Sequence, residues 1–252
     1  MNRLLSAIRY PLFVILIMAA VLILPHSAIA QTLSLDLGKS GGTATGKILQ
    51  LIAITTVLSL APSILMMVTS FTRIIIVLSL LRSALGIQQS PPNSVLISLA
   101  LFLTAFIMAP TFETAYNNAV EPLIAEKITE KQAFTEAVKP FHSFMMKNVR
   151  EKDLSLFMDM AKIDQVETPD DTPLHVLIPA FMISELKRAF EIGFLIYIPF
   201  LIIDMMVAST LMSMGMMMLP PVLISLPFKL IFFVLVDGWY LICGSLVKSF
   251  VT

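Results

Sequence analysis

Apolar residues run through this chain in long stretches that charge does not interrupt. None of the residues 48–72 or 83–112 is charged, and Asp204 is the one charge within 192–228. A helix that crosses the ~30 Å hydrocarbon layer of a membrane needs about 20 mostly apolar residues, and each of these stretches supplies them. The pattern predicts a first helix over 48–68. Pro62 lies inside it, removes one backbone donor and frees the Leu58 carbonyl, so a kink is expected. Thr69-Ser70-Phe71-Thr72 interrupts the run, and a second helix follows over 73–85 with Arg73 and Arg82 at its ends. Gly86 and Pro91-Pro92 enforce a turn. A third span is predicted over 93–109, ended by Pro110. The last third reads as two more helices, 179–208 and 222–247.

Between these halves the pattern changes. Twelve of the seventeen acidic residues fall between Glu113 and Asp171. Phe141, Phe144, Met145 and Val149 recur at helical spacing behind Pro140, read here as the first helical position. Leu154, Phe157, Met158 and Ala161 repeat the pattern, and an acidic linker, 164–173, closes the segment. The chain therefore divides into a first helix pair (47–110), a small helical insert (111–177) and a second helix pair (178–252). The apolar faces of the insert are too small for a separate core. Phe144 and Phe157 are accordingly expected to contact a neighbouring subunit.

The first thirty residues carry Arg3 and Arg9, an apolar core over 11–24, and small residues at Ala28 and Ala30. That is the build of a secretory signal peptide, with cleavage expected between Ala30 and Gln31. Residues 31–46 then form a Gly/Ser/Thr-rich exported tail of flexible character. With that tail outside, four crossings put Arg73 and Arg82 on the cytoplasmic side, in line with the positive-inside tendency, and place the insert outside. A simple four-span bundle strains at one point. Residues 192–219 would make a straight helix of about 42 Å at ~1.5 Å per residue, which asks for tilt, a break at Pro199 or Gly215, or packing against protein rather than lipid.

Composition agrees: 57% of residues are hydrophobic and mean hydropathy is +0.89, values that leave too little polar surface for a soluble domain. Net charge is zero, so no nucleic acid or other polyanion is indicated. Cys243 stands alone, which excludes an internal disulfide and a cysteine metal site. His26, His142 and His175 are isolated from one another. No nucleophile has a base beside it, and no phosphate-binding loop or metal-ligand spacing occurs. The reading is a non-enzyme without catalytic residues, metal or cofactor.

Two features carry more information. Asp204, Lys229 and Asp237 lie within apolar runs, and Glu185, Lys187, Arg188 and Glu191 crowd one helix end. Charges at membrane depth are costly and face protein, water or a partner. Asp204, Lys229 and Glu185 are read as members of intramembrane ion pairs, with an ion or proton path as the alternative. The second feature is the methionine cluster: Met205, Met206, Met212, Met214, Met216, Met217 and Met218 stand within fourteen residues. Methionine is flexible, polarizable and uncharged, and an apolar constriction resists water and ions until forced open. Gly215 and Pro220-Pro221 predict a loop there rather than ordinary helix packing.

These residues resemble the FliP family of flagellar export proteins, called SctR in virulence secretion systems. The resemblance lies in Pro179-Ala180-Phe181, Ser184-Glu185-Leu186-Lys187, Ala189-Phe190-Glu191-Ile192-Gly193-Phe194, and Met214-Gly215-Met216-Met217-Met218 with Pro220-Pro221. It continues in Ser225-Leu226-Pro227-Phe228-Lys229 and Asp237-Gly238-Trp239. Upstream it includes Thr69-Ser70-Phe71-Thr72-Arg73 and Gln88-Gln89-Ser90-Pro91-Pro92-Asn93. It implies an all-α membrane protein of four long kinked apolar helices with a small helical extracytoplasmic insert, assembling into a helical oligomeric pore complex. It implies as partners FliQ and FliR, further copies of the FliP-like subunit (a pentamer of them), FlhB and FlhA, unfolded exported flagellar proteins, and membrane lipid. It places the chain as a multi-pass protein of the bacterial inner membrane in the flagellar basal body. Met214, Met216, Met217 and Met218 would form a gasket around the pore. An injectisome subunit is the alternative within that mechanism. An ion-coupled transporter using Asp204 and Pro199 is the alternative outside it, although the two halves show no internal repeat.

Overall fold

The computed structural model describes residues 44–87, 90–163, 168–216 and 218–251. The expected cleavage site at Ala30 and Gln31, and most of the expected exported tail, lie outside the described residues. From residue 54 onward the described residues form one compact unit. Every described element is helical or a turn, as a chain needs when water is not there to satisfy open backbone groups.

Helix α1 spans Ala44–Met67 with Pro62 inside it, and α2 spans Phe71–Ala84. The two meet in a sharp bend at Val68, Thr69 and Ser70. Leu85 and Gly86 close α2, and Gly86 takes φ +78°, open to a residue without Cβ. Helix α3 spans Asn93–Ala115. It corrects the expectation that Pro110 ends this span. The helix passes through Pro110, widens into a π-turn over Tyr116–Val120 and runs on as α4, Glu121–Ile124. Proline removes one donor, but helix packing supplies more than that loss. Helix α5, Glu130–Asn148, lies along both α3 and the π-turn, and Phe112 meets Phe141 edge-on at 5.6 Å.

A second correction concerns α5 itself. Pro140 is not its first position but lies mid-helix, ten residues after Glu130. The start is set by a capping box: Gln132 N–H donates to Thr129 Oγ1 and Thr129 N–H to Gln132 Oε1, which satisfies two orphan donors at once. Helix α6 covers Glu151–Ala161, and a 3₁₀ turn over Pro169–Asp171 leads to α7.

Helix α7, Leu174–Ser213, is forty residues long, longer at both ends than the 179–208 expected. At ~1.5 Å per residue it measures about 60 Å, twice the hydrocarbon thickness. Its first turns pack on α5 and α6, and its middle packs on α2. The helix expected over 222–247 is two: α8, Pro221–Leu235, and α9, Gly238–Val251, bent by 62°. Asp237 takes φ +51° at the break. A Cβ on Gly238 would strike the Phe233 ring, so glycine permits this corner. Phe233 and Trp239 pack edge-on across it at 5.4 Å. Among the described residues two helices are long and apolar enough to cross a membrane, or up to four segments are if each bent pair counts as one.

The core has two aspects. Ile74, Val77, Leu78, Leu96, Ala100, Ala189, Leu246 and Phe250 join α2, α3, α7 and α9. Val68, Met145, Leu177 and Phe181 join the insert to the same body. The insert thus needs no core of its own, because it shares that of the helices beneath it.

Candidate functional site

Three polar clamps hold α7 to its neighbours. The first is set by Arg73, in the first turn of α2, facing Glu185 on α7. Arg73 Nε donates to Glu185 Oε2 at 2.8 Å, and Nη2 donates to Oε1 in the same fork. The remaining nitrogen, Nη1, reaches Ser249 O at 3.1 Å and Ser249 Oγ at 3.0 Å on α9. The guanidinium carbon stands 3.6 Å above the Phe250 ring centroid. Side-chain exposure is 1% for Arg73 and 0% for Glu185. A planar five-donor cation is suited to this task, because one guanidinium can serve a carboxylate, a carbonyl and an aromatic face together. Ser70, one turn before Arg73, is buried with its hydroxyl unpartnered among the described residues.

The second clamp lies about 28 Å further along α7, nineteen residues at ~1.5 Å each. Lys229 Nζ on α8 donates to Asp204 Oδ2 at 2.7 Å and to the Ala84 carbonyl at 3.1 Å. Ser225 Oγ donates to Asp204 Oδ1 at 2.5 Å. The ammonium therefore ties α7, α8 and the end of α2 together, and satisfies a carbonyl that the helix end leaves open. The third clamp is in the insert. Arg150 and Asp153 form a two-bond pair at 2.8 Å each. Ser184 Oγ donates to Asp153 Oδ2 at 2.6 Å and accepts the Arg150 N–H at 3.1 Å. Burial pushes the Asp153 carboxyl up, but the Ser184 hydroxyl and the Arg150 guanidinium outweigh it and hold it below the usual 3.8.

Of the charges singled out from sequence, the structure brings Asp204 and Lys229 together and buries Glu185. The partner of Glu185 was not legible: Lys187, Arg188 and Glu191 are exposed, with Lys187 and Glu191 3.6 Å apart on the surface. Arg73 is thereby a buried structural cation. Asp237 acts through its backbone at the α8–α9 corner, and its side chain is exposed. Phe144, expected at a subunit interface, packs inside this chain, 6.0 Å from the Phe181 ring and 6.0 Å from the Phe250 ring. The insert lacks a separate core, and α7 and α9 supply this ring with partners within the chain. Phe157 is half-buried on α6.

The methionine segment closes α7. Met214 is its C-cap, and Gly215 has φ +74°. Gly215 N–H donates to Met212 O and Met216 N–H to Leu211 O, both near 3.0 Å. This pair of bonds is the Schellman motif, which ends a helix and sends the chain off its axis. Met214, Met216 and Met218 are exposed, Met218 at 99%; Met217 lies outside the described residues. Pro220 caps α8 and Pro221 begins it, so the loop is bounded by glycine on one side and proline on the other.

Long apolar helices locked by buried ion pairs, with apolar residues turned outward, define a helical membrane protein. Comparison with known proteins gives the particular family. The model of the FliP family matches residues 54–246. The chain is 58% identical over 243 residues to the flagellar biosynthetic protein FliP of Caulobacter vibrioides, covering 96% of this chain and 91% of that one. It is 61% identical over 201 residues to FliP of Bacillus subtilis, covering 80% and 91%. It is 53% identical over 204 residues to FliP of Aquifex aeolicus, covering 80% and 85%. The chain belongs to the FliP family of flagellar biosynthetic proteins, membrane components of the flagellar type III secretion apparatus.

Proposed function

We propose that this chain is a core subunit of the flagellar protein export gate, forming with FliQ and FliR the inner-membrane channel through which unfolded flagellar proteins leave the cell. Family membership supports the setting. The observation that carries the mechanism is the Schellman stop at Gly215, which turns Met214, Met216 and Met218 out of the helix. In a ring of identical subunits, pentameric in this reading, such loops meet at the axis. Thioether side chains close the opening by apolar contact and part by rotamer change when a chain of any composition passes. The three clamps keep α7 and α8 from moving with the loop. FlhA and FlhB supply the cytoplasmic side of the apparatus, and lipid bounds its outer wall.

The test is a Met216→Ala/Met217→Ala/Met218→Ala variant. It removes filling volume without adding charge, so the complex assembles at wild-type yield and leaks small ions across the inner membrane. Ion-sensitive growth and single-channel conductance measure the leak. A variant that assembles, exports and leaks no more than wild type overturns the gasket.

A further inference from the structure

The helical bundle outside the insert leaves one acid over. Of the four acidic residues in 54–110 and 178–251, Glu185 and Asp204 are spent in clamps, and Glu191 lies 3.6 Å from Lys187. The Asp237 carboxylate has no partner among the described residues. It is exposed at the middle of the bent pair α8–α9, among the exposed side chains of Val234, Leu235 and Tyr240. A charge at membrane depth is costly unless protein, water or a partner meets it. Lipid does not account for all of this surface. On α7 exposed apolar side chains run from Ile183 to Met212, about 44 Å at ~1.5 Å per residue against ~30 Å of hydrocarbon. Part of the bundle is therefore covered by protein.

A cation on another face has donors to spare. Arg82, half-buried in the last turn of α2, gives Nη1 to Pro91 O at 3.3 Å and to Asn93 Oδ1 at 2.5 Å. Its Nε and Nη2 bond nothing among the described residues. Its height suits Asp237. Ala84, two residues on, offers its carbonyl to Lys229, so Arg82 stands about 3 Å back from that clamp. Asp237, eight residues past Lys229, stands about 12 Å back in the same direction. The difference of about 9 Å along the axis is within reach of two extended side chains. Lys187, Arg188 and Lys248 adjoin Glu185 and Ser249, which the first clamp holds at one level, and lie further from Asp237. Within one chain α2 stands between the two charges. Arg82 follows Arg73 by nine residues, about two and a half turns. It therefore points away from the face on which Arg73 and Ala84 meet α7, α8 and α9.

We propose that Asp237 of one copy of this chain binds Arg82 of the next copy. The free Nε and Nη2 form the guanidinium edge that forks a carboxylate, while Nη1 keeps its hold on the α2–α3 turn. Because the two charges lie on different faces of one chain, the contact is heterologous, the kind that repeats from copy to copy and closes as a ring. The pair rests on the ring of identical subunits proposed above and stands whether or not the methionine loop seals it.

The experiment uses the full-length chain extracted from membranes in mild detergent, with oligomer and monomer separated on a native gel. Asp237→Arg and Arg82→Asp each set like charges against one another at every contact, and the ratio of oligomer to monomer should fall about tenfold or more. The two changes in one chain restore opposite charges at every contact. Co-expression of the two single variants under different tags does the same, since each copy then presents the complement of the other. Both should recover most of the lost oligomer, and the two tags should purify together. Asp237→Asn and Arg82→Gln check the result without like charges. Each should lower the ratio severalfold, and the two together no further than either alone. Rescue in one chain but not by co-expression puts the pair within a chain and overturns the proposal. So does rescue in neither form. An oligomer that persists at the wild-type ratio in every variant overturns the pair and leaves the ring standing. A wild-type chain that extracts only as a monomer overturns the ring, and the pair with it.

Discussion

Removing the Glu185 carboxylate tests whether one buried cation organises the bundle. In Glu185→Ala the Arg73 guanidinium stays where it is, nearly without solvent contact. It keeps Ser249 and Phe250 but loses two charge-assisted bonds. A stranded buried charge of this kind costs roughly 3–5 kcal/mol. Arg73→Lys keeps the charge and one bond to Glu185. It gives up the fork and the reach to Ser249, so about 2 kcal/mol is expected from lost charged hydrogen bonds. Arg73→Met with Glu185→Leu removes both charges and fills most of the volume, and should be milder than either single change to alanine. Trp239 is the one tryptophan of the chain and sits at the α8–α9 corner against Phe233, so its fluorescence follows melting in detergent. The order expected is wild type, Arg73→Met/Glu185→Leu, then Arg73→Ala and Glu185→Ala together at the bottom. Single variants within about 0.5 kcal/mol of wild type, or strictly additive losses in the double variant, would refute the reasoning.

Asp204→Ala and Lys229→Ala should each reduce motility and complex yield. Exchanging the two charges should not rescue either, because an aspartate at 229 would face the Ala84 carbonyl that Lys229 now satisfies; swarm diameter and purified yield measure both. Gly193→Val should lower stability by about 1–3 kcal/mol, since any Cβ there meets the Leu80 side chain where α2 and α7 touch; thermal melting measures it. The Asp153 carboxyl titrates lower in the folded than in the unfolded chain, so its contribution is present above about pH 3.8 and is lost as pH falls through the lower folded value. Asp153→Asn should therefore flatten the stability profile in that acid range, and melting points taken across it show whether it does.

The apolar runs made the helices legible, because length without charge has few other uses. Their ends were less so. Pro110 and Pro140 are strong local signals, yet both sit inside continuous helix because α3, the π-turn and α5 pack along one another. The Thr129 capping box and the Asp237-Gly238 corner are written in plain turn chemistry, but stronger hydrophobic patterning surrounds both. Asp204 and Lys229 were legible as partners, because few charges compete with them in the last third. Glu185 was not: three neighbours at 187, 188 and 191 offered nearer candidates, while its partner lies 112 residues away. Periodicity carries no information about such a pairing; only the packing of α2 on α7 does.

The distribution of side chains then gives the clamps their meaning. Buried positions include Arg73, Ser184, Glu185, Ser225 and Lys229, whereas Phe102, Phe106, Phe194, Val234, Leu235 and Tyr240 stand exposed. A protein folding in water gains most by the opposite arrangement. Where the surroundings are as apolar as the side chains, burial of leucine or phenylalanine favours no particular neighbour. Specific attraction must then come from polar groups with no other place to be satisfied. Each of the three clamps joins α7 to a different element, at two heights: Asp153 and Arg73 hold the adjacent Ser184 and Glu185 in its first third, and Lys229 holds Asp204 toward its end. Together they fix the register of a forty-residue helix that hydrophobic contact alone would let slide. The methionine loop follows the last clamp by ten residues, at Met214, so register is set before the chain reaches it.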